Sequence, residues 1–128
     1  MPRLEKTYFV NAKSSDFYEA LTNQTIISQW SGASATMSDE IGSNFSLWGG
    51  SIVGINNEVS SNKLVQQWKE SSWPEYSKVV FGWRQESNFL VVTLIHEDIP
   101  EDSYDDITIG WEEHYMNPLI SWLESNNL

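Results

Sequence analysis

Hydrophobic and polar positions alternate over residues 4–12, which is the pattern of a β-strand. The two sides of this strand are Leu4, Lys6, Tyr8 and Val10, and Glu5, Thr7, Phe9 and Asn11. Ser14 and Ser15 then offer capping side chains for a helix of about ten residues. Gly32 is the residue type that ends a second short helix, predicted over residues 25–30. The start of the chain therefore predicts one strand followed by two short helices.

Short apolar runs separated by turn residues continue from residue 34 to residue 97, which predicts an antiparallel meander. The runs cover residues 45–48, 52–59, 64–69, 79–84 and 90–95. Gly49 and Gly50 favour a hairpin turn after the first run, and Asn62 favours a turn before the third. Residues 86–88 join the last two runs. The middle of the chain is thus interpreted as the sheet.

From residue 103 to about residue 123 the apolar positions take the period of a helix. The apolar stripe consists of Ile107, Trp111, Tyr115, Leu119 and Trp122. Ser103 and Asp106 are expected to form a capping pair, and Pro118 should bend this helix or interrupt its hydrogen bonding. The predicted fold is α+β: a curved antiparallel sheet of about six to seven strands, two short helices and a long C-terminal helix.

Composition sets limits on partners and on chemistry. The 128 residues and 14.7 kDa fit one domain, assigned to residues 1–128. With 7 basic and 18 acidic residues the net charge is −11, so neither nucleic acid nor a membrane is expected as a partner. The chain has no cysteine, hence no disulfide and no thiolate metal site. The first residues lack an apolar leader, so a cytoplasmic location is expected.

Four motifs carry a family resemblance: residues 45–54 (FSLWGGSIVG), residues 68–75 (WKESSWPE), Ile99-Pro100, and Gly110-Trp111 with Tyr115. They resemble the C-terminal domain of the activator of the ninety-kilodalton heat-shock protein ATPase. That family belongs to the START-like, or SRPBCC, helix-grip superfamily, together with polyketide cyclases and lipid-transfer domains. The resemblance implies a sheet that grips the C-terminal helix around an apolar cavity, and it makes the heat-shock chaperone a candidate partner.

Seven tryptophans are more large rings than a small core needs, which suggests an aromatic cavity lining. The side chains expected to line it follow from strand parity, from the helical stripe and from the grip geometry of the family. They are Phe45, Leu47, Trp68, Phe81, Trp83, Val92, Leu94, His96, Trp111, Glu112, Tyr115 and Leu119. The cavity mouth is expected near Pro118, where a bent helix could part from the sheet.

Two of these side chains could do chemistry. His96 is interpreted first as a strand-end histidine bonded to a neighbour, and second as a cavity hydrogen-bonding group or general base. Glu112 lies within the apolar arc of the helix, where its pKa could be raised unless it reaches a cation such as Arg84. His114 is expected to face solvent.

Sequence motifs for other chemistry are missing. The histidines lack zinc-protease spacing, the acidic run over residues 97–106 lacks EF-hand order, and no nucleophile elbow or phosphate loop occurs. No metal or cofactor is therefore expected. The leading hypothesis is a non-enzymatic domain, monomeric or homodimeric, that binds a small apolar or lipid-like molecule. The alternatives are a co-chaperone that stimulates the chaperone ATPase, and an enzyme of the polyketide cyclase or hydrolase type using His96 and Glu112.

Overall fold

Residues 2–126 are described by a computed structural model, in which six antiparallel strands form one sheet. The strands are β1 (Leu4–Val10), β2 (Asn44–Leu47), β3 (Ile52–Ser60), β4 (Lys63–Glu70), β5 (Ser77–Gln85) and β6 (Leu90–Glu97). Their order across the sheet is β1-β6-β5-β4-β3-β2. Consecutive strands from β2 to β6 are neighbours, so the predicted meander is confirmed, and β1 joins it beside β6.

The turn between β2 and β3 is the hairpin that the two glycines predicted. It is a 3-10 turn over Trp48–Gly50. The three residues have positive φ angles of 49°, 66° and 100°. Glycine tolerates such angles, whereas a tryptophan there is strained. The hairpin is therefore closed at some cost in backbone energy at Trp48.

Two short helices follow β1, namely α1 (Ser14–Thr22) and α2 (Gln24–Ser31). The cap predicted for α1 is wrong: Lys13 occupies the N-cap without a side-chain bond, and Ser14 is already helical. The Ser14 hydroxyl instead accepts a hydrogen bond from Trp83 Nε1 at 3.2 Å, because Trp83 packs beneath α1. Gly32 ends α2 in the left-handed conformation with φ of 72°, as predicted.

The C-terminal helix runs through three consecutive segments. They are α3 (Tyr104–Gly110), a π-helical stretch (Trp111–Met116) and α4 (Asn117–Ser125). Pro118 lies just after the π-helical stretch; since proline has no N–H to donate, a change of hydrogen-bond register is expected near it. The expected interruption is confirmed. The Ser103–Asp106 capping pair is wrong, because Ser103 makes no side-chain capping bond.

The core lies between one face of the sheet and the helices. Phe17 of α1, Phe81 of β5 and Leu119 of α4 are all 0% exposed. Such side chains alternate along the strands with outward ones, as the period of a strand requires. The α+β architecture therefore confirms the predicted fold class. No helix among residues 2–126 is long and apolar enough to span a membrane.

Buried amides attach residues 32–43, the segment between α2 and β2, to the sheet. Asn56 is 0% exposed, and its Nδ2 donates to the Ser38 carbonyl oxygen at 3.0 Å. Gln66 of the adjacent strand donates to Asn56 Oδ1 at 2.9 Å. Buried amides are costly unless they are bonded, so these contacts fix the position of the segment.

Close packing at Gly54 in β3 yields a stability prediction. A Cβ atom built there would lie 2.0 Å from the Gln67 carbonyl oxygen and 2.4 Å from the Phe45 ring. Gly54→Ala must therefore push strand backbone apart, and we expect it to lower the free energy of unfolding by about 1–3 kcal/mol. Urea unfolding followed by tryptophan fluorescence measures the change.

Gly110→Ala is the matched control, because a Cβ atom at that helical position meets nothing within 4 Å. Alanine is the better helix former, so this variant should gain about 0.5–1 kcal/mol. A Gly54→Ala protein as stable as the parent would contradict the close contact between Phe45 and the backbone of β3 and β4.

Candidate functional site

An open groove lies between the C-terminal helix, the β2–β3 turn and the ends of β3 and β4. Its volume is about 380 Å³. Apolar side chains form most of its lining, with charged ones among them. The lining residues are Trp48, Ser51, Ile52, Trp68, Glu70, Asp106, Ile107, Gly110, Trp111, His114 and Tyr115. This volume lies within the range of small-molecule sites.

Trp48 reaches the groove from the strained turn. Its ring meets that of Tyr115 edge to face, with centroids 6.1 Å apart. A non-glycine residue with positive φ persists only where surrounding contacts hold it, and such strain is common at functional sites. A turn that only reversed the chain would not need a strained tryptophan. The strain at Trp48 therefore accompanies the placement of its aromatic ring beside the helix.

Stacked rings form the inner side of the groove. Trp68 of β4 and Trp111 of the helix stack with centroids 5.3 Å apart and planes 26° apart. Trp111 also contacts Tyr115, with centroids 4.7 Å apart. All three side chains are at least 96% buried, so the groove is lined by the outer atoms of the core itself. Its shape therefore depends on core packing.

His96 lies behind these rings, and its neighbours determine its tautomer. Trp111 Nε1 can only donate, and it donates to His96 Nδ1 at 2.9 Å. The proton of the neutral ring must then be on Nε2, which lies 2.7 Å from Ser77 Oγ. The Ser77 hydroxyl in turn donates to the Trp68 carbonyl oxygen. We call this directed chain of three hydrogen bonds the histidine network.

The histidine network keeps His96 neutral. The ring is 0% exposed, and burial lowers the pKa of His96 to about 3. Both ring nitrogens are occupied by neighbours, as the first interpretation of this residue expected. His96 therefore has no free nitrogen with which to act as a base in the groove.

Trp68 carries an unsatisfied donor. Its Nε1 is buried and has no hydrogen-bond partner among the described residues. A buried N–H without an acceptor costs about 1–3 kcal/mol. The Trp68 ring therefore holds its place between core and groove at an energetic cost.

Two carboxylates lie on opposite sides of the groove. Glu70 ends β4, and Asp106 lies in the first turn of α3. Neither forms an ion pair within residues 2–126. His114, which is exposed as predicted, is the remaining ionisable side chain at the rim besides the buried Tyr115. The groove is therefore apolar inside and acidic at its edge.

Glu112 is not a groove residue. It joins the helix to the edge strand β1: its Oε1 accepts from Tyr8 OH at 2.6 Å and pairs with Lys6 Nζ at 3.0 Å. The Tyr8 hydrogen bond, helped by Lys6, lowers the pKa of Glu112. The raised pKa considered for Glu112 does not occur. Glu112 instead reaches a cation, as the alternative expected, but this cation is Lys6 and not Arg84, which pairs with Glu86.

The remaining expected lining residues divide between groove and core. Trp68, Trp111 and Tyr115 reach the groove. The rest, apart from Glu112, are buried in the core: Phe45, Leu47, Phe81, Trp83, Val92, Leu94, His96 and Leu119. Phe81 contacts the rings of Trp111 and Tyr115. The groove follows the helix from Asp106 to Tyr115, and Pro118, the expected cavity mouth, is not among its lining residues.

Sequence reasoning missed eight of the eleven groove residues. Ile107 lies one helical turn before Trp111 on the same stripe, so the helical period could have found it. Trp48, Ile52 and Glu70 reach the groove because of the turn and the strand ends, which the period of a strand does not reveal. Among the described residues no group of three or more acidic or histidine side chains could hold a metal ion.

Comparisons with known proteins agree on one family. The sequence profile described as "Activator of Hsp90 ATPase homolog 1-like protein" matches residues 11–124. An uncharacterised protein of Schizosaccharomyces pombe is 24% identical over 119 residues, covering 91% of this chain and 35% of that protein. An activator of 90 kDa heat shock protein ATPase homolog from Dictyostelium discoideum is 28% identical over 106 residues, covering 80% of this chain and 28% of that protein.

A solved structure matches over nearly its whole length. It is described as an HSP90 activator from Plasmodium falciparum, with a TM-score of 0.89 and 25% identity. The match covers 94% of this chain and 95% of that chain. By contrast, the chain spans only about a third of the curated relatives, at 35% and 28% of their lengths.

The buried histidine gives a prediction on pH dependence. The folded state has a His96 pKa of about 3, against an ordinary value of 6.5. Between these values the unfolded chain binds a proton that the folded chain does not, so stability is complete above pH 6.5 and falls as the pH is lowered. From pH 7.5 to pH 5 the loss from this residue should be about 2 kcal/mol.

The measurement compares the free energy of unfolding of the parent, His96→Gln and His114→Gln across that pH range. Carboxylates titrate alike in all three proteins, so the difference isolates the histidine. The fall should persist in His114→Gln, whose histidine is exposed, and should vanish in His96→Gln. Equal pH dependence in all three proteins would show that His96 is not held neutral.

Proposed function

Because the chain belongs to the family of Activator of Hsp90 ATPase homolog 1-like proteins, we propose that it is a non-enzymatic domain that binds the 90 kDa heat-shock chaperone and stimulates its ATPase. The observation that carries this proposal is the match to the Plasmodium falciparum HSP90 activator over nearly the full length of both chains. The neutral, fully bonded His96 gives no support to the enzymatic alternative.

The charge distribution supports a basic docking partner. Acidic side chains lead into the C-terminal helix at Glu101 and Asp102, and continue at Asp105, Asp106 and Glu113. Asp102, Asp105 and Glu113 are exposed and form no ion pair within residues 2–126. A surface of one charge accelerates association with a surface of the opposite charge. We therefore assign the docking face to the exposed side of this helix.

A small apolar or lipid-like ligand is the second candidate. The observation that favours it is the groove itself, whose volume and aromatic lining suit a small molecule. The enclosed cavity of the sequence hypothesis is largely filled by rings in mutual contact. The ligand is therefore proposed for the open groove beside Trp48 and Ile107.

Chaperone binding is tested with purified chaperone and an ATPase assay. The parent should stimulate hydrolysis, and the double variant Asp102→Asn/Asp105→Asn should need about fivefold more protein for half the effect, because exposed charge pairs contribute about 1 kcal/mol. The control Asp16→Asn/Glu19→Gln removes the same charge from α1 and should behave like the parent. No stimulation by saturating parent protein would refute the proposal.

Ligand binding is tested with an apolar fluorescent dye and by native mass spectrometry of the purified protein. Ser51→Trp places a large ring in the groove from an exposed position, so dye affinity should fall about tenfold. Ser121→Trp, an equally exposed change on α4 outside the groove, is the control. Equal dye binding by both variants would place the dye elsewhere and contradict this candidate.

A further inference from the structure

We propose that the groove selects a small organic cation: a protonated amine attached to an apolar body. This inference rests on the second candidate function, that the groove binds a small molecule. It adds the charge of the ligand, which the apolar lining alone leaves open. Two features of the groove support this charge: its aromatic rings and its two carboxylates.

Four aromatic side chains are among those that line the groove, three of them almost wholly buried and Trp48 partly exposed. Trp48, Trp68, Trp111 and Tyr115 approach it from the β2–β3 turn, from β4 and from the helix. Such rings bury an apolar body and also attract a cation, because the face of an aromatic ring is negative. Tryptophan gives the strongest cation–π interaction, and three of the four rings are tryptophan. The lining therefore favours an apolar molecule that carries positive charge.

The carboxylates of Glu70 and Asp106 favour the same charge. They approach from the sheet and from the helix, so a ligand in the groove lies between two negative groups. No lysine or arginine among the described residues lines the groove. A ligand carboxylate or phosphate would thus meet repulsion, whereas an ammonium group would gain hydrogen-bond acceptors and opposite charge.

Three probes that differ only in charge test the proposal by isothermal titration calorimetry. They share a naphthyl ether body: 2-(naphthyloxy)ethylammonium, 2-(naphthyloxy)ethanol and (naphthyloxy)acetate. The titrations are run at pH 8. We expect the ammonium probe to bind about tenfold more tightly than the alcohol, and the carboxylate to bind most weakly.

The double variant Glu70→Gln/Asp106→Asn should remove most of this preference, leaving ammonium and alcohol within about twofold. The control Asp16→Asn/Glu19→Gln removes two exposed acids from α1, outside both the groove and the proposed docking face, and should keep the preference. Circular dichroism of both variants checks that they are folded.

Each outcome is decisive. Equal binding of ammonium and alcohol by the parent, or an unchanged preference in Glu70→Gln/Asp106→Asn, would overturn the charge selection while leaving the groove as a ligand site. Failure of all three probes to bind the parent would overturn both the charge selection and the ligand-binding candidate. Chaperone stimulation is measured separately and is not affected by either result.

Discussion

The histidine network is the interaction on which the rest of the structure depends. Trp111 donates to His96, His96 to Ser77, and Ser77 to the Trp68 carbonyl oxygen, so the helix is joined to β6, β5 and β4 in turn. The direction of each bond is fixed, because an indole N–H cannot accept and a carbonyl oxygen cannot donate. A buried polar group is costly unless it is hydrogen-bonded, and in the histidine network each hydrogen bond satisfies a polar group that would otherwise be buried without a partner. These hydrogen bonds therefore fix the distance of the C-terminal helix from the sheet and its rotation about its own axis.

The groove is a consequence of that placement. The network holds Trp111, and Trp111 stacks on Trp68, so the inner side of the groove is the outer surface of the core. The opposite side is the strained Trp48 turn. A site between a rigid core and a turn that holds backbone strain is suited to binding, since little ordering remains when a ligand enters. The same burial that fixes His96 removes it from chemistry, which favours binding over catalysis.

Negative charge links the two proposed activities. The acids that begin the C-terminal helix form the proposed docking face, and Asp106 among them also lines the groove. A partner that covers the helix would approach the groove, so ligand and chaperone could influence one another there. Glu112 differs from these acids because Tyr8 and Lys6 bind it, and its role is to attach the helix to β1. On this helix Glu112 thus serves structure, whereas docking and ligand selection are the roles proposed for the neighbouring acids.

The sequence by itself determined the elements and the family. Strand alternation and the helical stripe report which side chains are buried. The glycines at positions 32, 49 and 50 report local backbone preference. Both properties are the same in the folded protein as in the sequence pattern. The motifs from residue 45 to residue 111 gave the family that residues 11–124 match. Strand parity also predicted that Trp68 faces inward, and the helical stripe predicted the same for Trp111 and Tyr115. Neither pattern could say whether inward rings enclose a cavity or touch. Only the tertiary structure decided that, because packing depends on distances between strands and helix. It alone showed that Trp83 packs under α1, that Glu112 meets Tyr8, and that Trp48 and Glu70 reach the groove, since each contact joins residues far apart in the chain.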